Sequence, residues 1–508
     1  MSSRVASSPL LPGLALAAVP ASVAAILFVL ACGVPGVTTD GFAYLDTAKH
    51  VAAGHGAYYA VPEGNLRPLI TWPPLFPLLL APGEWLGVDL LAWCRWLHAL
   101  LFGLLAGGAL LLVRAGGGGL RGGLLAAALI SLTGNMPELF AMVYSEPLFL
   151  VLELAWLYML WRACRSSGYR DVIIAGALAA ALVLTRYAGA AFVLGGVVAL
   201  CLSRRPSRVW RAAAYAGVAV LPVALWLLRN SLAGGSAVER PIEPLPFDAD
   251  WLINVWRLAT LWLLPAEASR WVRHLLLALL AMGGIAGLLV LWPRRLSVPG
   301  ARRCLGFCGL CVLAAGCYIA FLAAATFASP REPTLDLRML APAQLPLMLA
   351  LARAMAGLAG KGYALAVWGA ALLLVGTGAW RAANFAQDAN ERGSEFTSVA
   401  WRESALLEAA RGLPQGAVLA SNQAEAVYWH LGQPCQPLPT AAEQGRDQSR
   451  LDPERVAKLR QAHEGRECFV LLFDQTWPWH APAEVNERDL RLTPVARYSD
   501  GTLYRLGD

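Results

Sequence analysis

Apolar residues gather in runs long enough to cross a bilayer, and the polar stretches between them are of two kinds. A spanning helix needs about 20 apolar residues. On that measure spans are expected near 13–33, 90–113, 118–135, 145–161, 171–186, 187–203, 209–228, 271–292, 303–327, 338–357 and 362–381, eleven in all. Short, basic connectors hold Arg114 and Arg121; Arg162, Arg165 and Arg170; Arg204, Arg205, Arg208 and Arg211; Arg294, Arg295, Arg302 and Arg303; and Arg353 and Lys361. The connectors near 34–89, 136–144, 229–270 and 328–337 are longer or carry the acids. Eleven crossings put every basic connector on one side, which the positive-inside rule makes cytoplasmic. The N-terminus is then cytoplasmic and residues 382–508 lie outside.

One assignment follows from that alternation. Residues 171–203 could form a single long helix, but basic connectors at both ends require an even number of crossings. A hairpin turning near Thr185-Arg186-Tyr187 meets the requirement and puts Arg186 at a span end. Midway through a helix its charge would cost several kcal/mol. At the N-terminus, Arg4 and the apolar run from about Leu14 to Cys32 read as a retained signal anchor, since no small-x-small cleavage site leads into a soluble domain.

The first long connector is not simply polar. Residues 40–56, DGFAYLDTAKHVAAGHG, read as an amphipathic helix with Tyr44, Ala48, Val51, Ala52 and His55 on one face and Asp46 and Lys49 on another. Gly54 offers the left-handed stop. Asp40 is placed to cap the helix, or to do chemistry above the membrane; spacing alone leaves both open. Trp72-Pro73-Pro74 starts a second short apolar helix, with proline at the first positions where no N–H is required. Both helices are expected along the outer surface, as part of a membrane module covering 1–383.

Beyond about Asn384 the periodicity changes. GAVLASNQAEAVYWHL (416–431), ECFVLLFD (467–474) and TPVARYSDGTLYRL (493–506) carry strand-like runs, with a turn at Ser499-Asp500-Gly501. Residues 402–411 and 453–463 have helical spacing. The expectation is a small extracytoplasmic α/β domain over 384–508, attached to a polytopic α-helical membrane protein.

Composition agrees with lipid as the solvent: 57% of residues are hydrophobic and 15% charged, against about 25% charged in a soluble domain. The net charge of +7 is modest and gives no reason to expect nucleic acid. Of the ten cysteines, Cys304, Cys308, Cys311 and Cys317 lie in an apolar run without His or Asp nearby and read as small core residues. Cys435 and Cys468, alone in the polar tail, could pair in an oxidising compartment.

The informative charges are those at the outer ends of spans: Asp40 and Asp46, Glu146 in Tyr144-Ser145-Glu146-Pro147, Arg186 at the hairpin, and Asp336 and Arg338 in LDLRMLAPAQLP. Ionisable groups at such depths are functional candidates by default. Each also has a structural reading: Asp46 as an i, i+3 or i, i+4 partner of Lys49 or His50, Glu146 complementing a helix dipole, Arg338 as an interfacial anchor. Their concentration on one face points instead to group transfer from a lipid phosphate, with a carboxylate to take a proton and an arginine to hold phosphate.

An acidic residue after the first span, Tyr four on, Ala-Lys, Gly-x-Gly, Pro-Pro-Leu at 73–75, Ser-Glu-Pro-Leu-Phe at 145–149, Thr-Arg-Tyr at 185–187, Asp-x-Arg…Pro at 336–342 and Ala420-Ser421-Asn422 occur in that order. The set resembles the bacterial polyprenyl-phosphate-sugar-dependent glycosyltransferases of the GT-C fold, relatives of protein O-mannosyltransferases and lipid A aminoarabinose transferases. It covers nearly the whole chain. The chain departs from several relatives in having Asp40-Gly41 in place of Asp-Glu, and Trp72 in place of Lys before Pro-Pro.

The resemblance implies an inverting glycosyltransferase moving a sugar from a polyprenyl-phosphate donor to a hydroxyl of a lipid, glycan or protein at the outer face of a bacterial inner membrane. Asp40 would be the general base and Arg338, with Arg186, would hold the donor phosphate. Glu146, Asp46 and Tyr44 would position acceptor or sugar. No cofactor is expected, although His50 and His55 near Asp40 and Asp46 leave room for a divalent metal. A transporter or flippase for a lipid-linked sugar shares the spans and internal charges, but no internal repeat of the transporter kind is evident. An assembly protein using its tail as a binding module is the third reading.

Overall fold

The computed structural model describes the chain apart from residues 1–9, 204, 239–244, 247, 296–298, 329–334, 360–362, 440–450, 463–465, 475–481 and 508, and apart from the side chains of 10–18, 29 and 283–305. Cys304, Arg204, Arg294, Arg295, Arg302, Arg303 and Lys361 therefore lie outside the described side chains. The apolar runs form helices: α1 (Leu10–Ala31), α2 (Thr39–Ala52), α3 (Leu75–Trp85), α4 (Leu90–Ala115), α5 (Gly119–Leu132), α6 (Met136–Ala141), α7 (Glu146–Ala163) and α8 (Arg170–Thr185). They continue with α9 (Ala190–Leu202), α10 (Arg208–Gly234), α11 (Asp250–Thr260), α12 (Arg270–Arg295), α13 (Pro299–Ala328), α14 (Leu337–Leu358) and α15 (Ala364–Arg392). Every run expected to span lies on one of these. Among the described residues, five helices (α4, α10, α13 from Gly306, α14 and α15) are both long and apolar enough to cross a membrane.

Two compact units divide the chain, one of Met1–Val34 with Leu69–Asn390 and one of Pro35–Pro68 with Glu391–Asp508. The first long connector is thus split. Its first half, expected within the membrane module, packs with the C-terminal residues, and its second half, with α3, packs with the helices.

In the helical unit the hairpin is present. The chain breaks at Arg186, whose extended backbone (φ −150°, ψ 134°) closes α8 before a single 3-10 turn, Tyr187–Gly189. Gly176 of α8 and Gly196 of α9 both lie against Tyr215 of α10. In one continuous helix they would stand about 30 Å apart. Tyr215 is fully buried, donates to the Phe192 carbonyl at 2.8 Å and accepts from Trp156 Nε1 at 2.9 Å. A Cβ at position 196 would overlap its ring. Gly196→Val is expected to displace Tyr215 and cost roughly 1–3 kcal/mol, read as a lower unfolding temperature of the purified protein in detergent.

The helices of this unit have two chemically distinct ends. At one, among the described residues, basic side chains of three connectors take partners from neighbouring segments. Arg211 donates from Nη2 to the Ala163 carbonyl at 2.6 Å, Arg353 from Nε to that of Gly116 at 2.9 Å, and Arg162 pairs with Asp171 at 3.3 Å. At the opposite end lie the start of α7, the close of α8 and the start of α14.

The second unit is an α/β structure. Residues 391–508 supply β3 (Val418–Ser421), β4 (Cys435–Pro437), β5 (Cys468–Phe473), β6 (Leu492–Tyr498) and β7 (Gly501–Leu506), in the order β4-β3-β5-β7-β6. The first three are parallel to one another, and β7 runs antiparallel to β5 and to β6. β5 is buried along its whole length, which suits its uninterrupted apolar sequence. The β6–β7 turn falls at Ser499-Asp500, as read, and Asp500 accepts from Leu406 N at 3.2 Å.

Four features differ from expectation. After the short helices α16 (Val399–Arg402) and α17 (Ala405–Arg411), residues 424–431, read as part of a strand-like stretch, form a helix (α18) closed by Gly432 at φ +65°. The short strand β4 and the helix Ala483–Leu490 were not foreseen. Cys435 and Cys468 are free, buried thiols on the two strands that flank β3. Two strand spacings separate them by roughly 9–10 Å, beyond the reach of a disulfide, about 7 Å between Cα atoms.

The loop segment is knitted into this unit by specific bonds. Phe396 N donates to the Val37 carbonyl at 2.9 Å, Thr397 Oγ1 to that of Pro35 at 3.0 Å, and Cys435 N to that of Pro62 at 2.7 Å. Phe42 of α2 meets Tyr428 and Trp429 of α18 edge-on, with ring centroids 5.6 and 6.3 Å apart. The hairpin β1 (Tyr58–Ala60) and β2 (Leu66–Pro68) completes the segment.

Candidate active site

The residues singled out in the sequence fall into two groups, one in each unit. Glu146, Arg186 and Arg338 come together in the helical unit. Asp40, Tyr44 and Asp46 are carried by α2 in the other.

Glu146 opens α7 and is almost completely buried, at 1% exposure. Its Oε1 receives Arg186 Nη1 at 2.6 Å and also the Nε of Arg338. Its Oε2 is buried without a hydrogen-bond partner among the described residues. Arg186 reaches it because the hairpin break swings that residue out of helical geometry. Arg338 reaches it because α14 begins one residue earlier, capped by Asp336, whose Oδ1 accepts from Met339 N at 2.7 Å. Burial pushes the Asp336 carboxyl above the usual carboxylate range, while the Met339 N–H and the charge of Arg338 oppose the rise.

One short segment contacts both guanidiniums. The Arg338 Cζ stands 3.7 Å from the centroid of the Tyr144 ring, and Ser145 Oγ lies 3.4 Å from Arg186 Nη1. Tyr318, buried on α13, donates to the Met339 carbonyl at 2.9 Å and so steadies the first turn of α14. Sequence reading did not single out Tyr144 or Tyr318. Tyr144 sits within the quoted Tyr-Ser-Glu-Pro motif, whereas Tyr318 gives no signal inside its apolar run. Nor was Glu153 foreseen; two turns along α7, it is fully buried, and neither carboxyl oxygen has a partner among the described residues.

In the second unit the cap of α2 is Thr38, not Asp40. The Thr38 hydroxyl accepts from Gly41 N at 3.4 Å, and Asp40 lies in the first turn, half-buried. The helix stops as expected. Gly54 takes φ +79°, its N–H meets the Val51 carbonyl at 3.0 Å, and His55 N meets that of His50 at 2.9 Å. Tyr44 and Ala48 are buried, but so are Phe42 and Leu45, and His55 is exposed, so the buried stripe is wider and ends sooner than read.

Asp46 holds the hairpin to the helix: its Oδ2 accepts from Ala60 N at 2.6 Å and lies 3.4 Å from His50 Nδ1. The i, i+4 reading is therefore met, with a backbone bond added. Elsewhere in the unit, burial lowers the His430 imidazole from its ordinary pKa and raises the Glu425 carboxyl, Glu63 adding to the latter.

His50 and His55 have ring centroids 5.8 Å apart, and His50 is engaged by Asp46. Among the described residues no three His, Cys, Asp or Glu side chains are arranged to hold a metal ion.

Its likeness to solved membrane glycosyltransferase structures gives the helical chain a GT-C fold. No family model matches the chain, and no curated protein matches it in sequence. Among solved structures it is similar to ArnT from Cupriavidus metallidurans in the apo state, with a TM-score of 0.56 and 12% identity over 96% of this chain and 97% of that one. It is also similar to the arabinofuranosyltransferase AftD from Mycobacteria, with a TM-score of 0.56 and 18% identity over 97% of this chain and 40% of that one. At these identities the likeness is one of fold.

Proposed function

We propose that the protein is a membrane glycosyltransferase that takes a sugar from a polyprenyl-phosphate donor. The observation that carries this reading is the convergence of Arg186 and Arg338 on buried Glu146, at the helix ends opposite the basic connectors. Two guanidiniums around one carboxylate make a site suited to an oxyanion, and guanidinium geometry matches phosphate. The GT-C fold and the glycosyl transfer named for AftD support the same chemistry.

In the proposed reaction an acceptor hydroxyl attacks the anomeric carbon as its proton passes to Asp40. The bond from that carbon to the phosphate oxygen breaks, and its electron pair stays on the departing lipid phosphate. Arg338, aided by Arg186, stabilises that charge. A single displacement inverts the anomeric configuration. Glu146 acts by holding the two arginines, a role its bonds favour over direct contact with sugar or acceptor. Asp46 and Tyr44 keep α2 and its hairpin in shape around Asp40. By the positive-inside rule the basic helix ends face the cytoplasm, and the reaction belongs to the outer face of a bacterial inner membrane.

The deciding experiment supplies purified protein in detergent with a radiolabelled polyprenyl-phosphate sugar and an extract of acceptors. Release of free polyprenyl phosphate together with transfer of label is expected. A transporter of lipid-linked sugar would leave the donor intact.

A further inference from the structure

The residues around Arg338 hold it in two different ways. Glu146 takes the edge of the guanidinium through Nε. Tyr144 takes its face, with Cζ 3.7 Å from the ring centroid, well inside the roughly 6 Å over which a cation is drawn to an aromatic face. A guanidinium carries its five N–H donors in its own plane. Contact with a ring face therefore fixes the group without consuming any of them, which a second carboxylate would do.

The local chain makes Tyr144 suited to this. Its N–H bonds the Met142 carbonyl at 2.8 Å in the turn before α7. The consecutive residues Tyr144, Ser145 and Glu146 then touch, in order, Arg338, Arg186 and both. Three adjacent side chains thus form a template for the arginine pair.

We propose that Tyr144 is a positioning residue for Arg338, setting the guanidinium plane so that its in-plane donors meet the phosphate of the lipid donor. The inference rests on the phosphate-holding role of Arg338 given above.

The test measures binding of a polyprenyl monophosphate to purified full-length protein in detergent, with the matching polyprenol as control for the apolar chain. Tyr144→Leu is expected to weaken phosphate binding about tenfold while leaving polyprenol binding unchanged, and Tyr144→Phe to stay within about threefold of the parent because the ring face remains. In an Arg338→Met background, Tyr144→Leu should have no further effect, since the partner through which it acts is gone.

Parental phosphate binding by Tyr144→Leu, or a loss that persists at full size in the Arg338→Met background, would overturn the proposal. If Tyr144→Leu does not fold, Tyr144→Met is read against Tyr144→Phe by the same criteria. Unchanged binding in Arg338→Met alone identifies the phosphate role of Arg338 as the failing premise. That outcome is separate from a Tyr144 that makes no difference where Arg338 does.

Discussion

Replacing Asp40 with asparagine is expected to abolish sugar transfer while leaving the protein folded. The substitution keeps the shape of the side chain and removes its ability to accept a proton. General-base catalysis is worth about 10²–10⁴ in rate, so transfer should fall by that factor or below detection. The fold should tolerate the change because the cap of α2 is the Thr38 hydroxyl and the stop is at Gly54. Loss of the first-turn carboxylate costs only a few tenths of a kcal/mol up to about 1 kcal/mol against the helix dipole. Unfolding temperature and transfer from a labelled lipid donor, measured on the same preparation, check both halves. Transfer at parental rate by Asp40→Asn would assign the proton to another group.

Glu146→Gln carries the second large effect, and here stability and activity should fall together. Glu146 is buried, and its one oxygen Oε1 compensates both Arg186 and Arg338. Removing one partner of a buried ion pair costs about 3–5 kcal/mol. Arg186 and Arg338 keep 23% and 20% side-chain exposure, so water takes up part of the charge and the lower end of that range applies. A second substitution, Arg186→Gln, removes one of the two like charges left facing each other. The double variant is therefore expected to recover part of the lost unfolding temperature without recovering transfer. If Glu146→Gln unfolds at the parental temperature, the arginines are held by something other than its charge.

Much of this architecture is legible in the sequence, for a physical reason. Spans are set by local composition, because no water is present in the bilayer core to satisfy a broken helix, and the runs around α4, α10 and α14 therefore announce themselves. The Arg186 hairpin is legible one level up, from the sign of the flanking connectors. The grouping of Glu146, Arg186 and Arg338 could be anticipated as a set of charges at span ends, though not their bonding through a single oxygen.

The misreadings come from competition that local pattern does not resolve. Thr38, Thr39 and Asp40 are all competent caps, and a shift of two residues decides which one serves. Val427, Tyr428 and Trp429 favour strands, yet they form α18, where Tyr428 and Trp429 receive Phe42; Gly432 was the overlooked stop signal. Tyr318 lies within an apolar helix and acquires meaning only from the Met339 carbonyl it meets on α14.

The joining of residues 35–68 to residues 391–508 bears on how the protein is made. Helix α2 precedes by more than 300 residues the α18 aromatics against which its Phe42 packs. Closing so long a loop carries an entropic cost that grows only slowly with length, so the pairing is thermodynamically accessible. It is kinetically late, as contacts between distant parts of a chain generally are. Until residues 428 and 429 have been made, Phe42 lacks the aromatic partners it meets in the finished fold. The C-terminal α/β structure is also not a contiguous piece that can be cut away intact: truncation after α15 would take from α2 the surface it folds against.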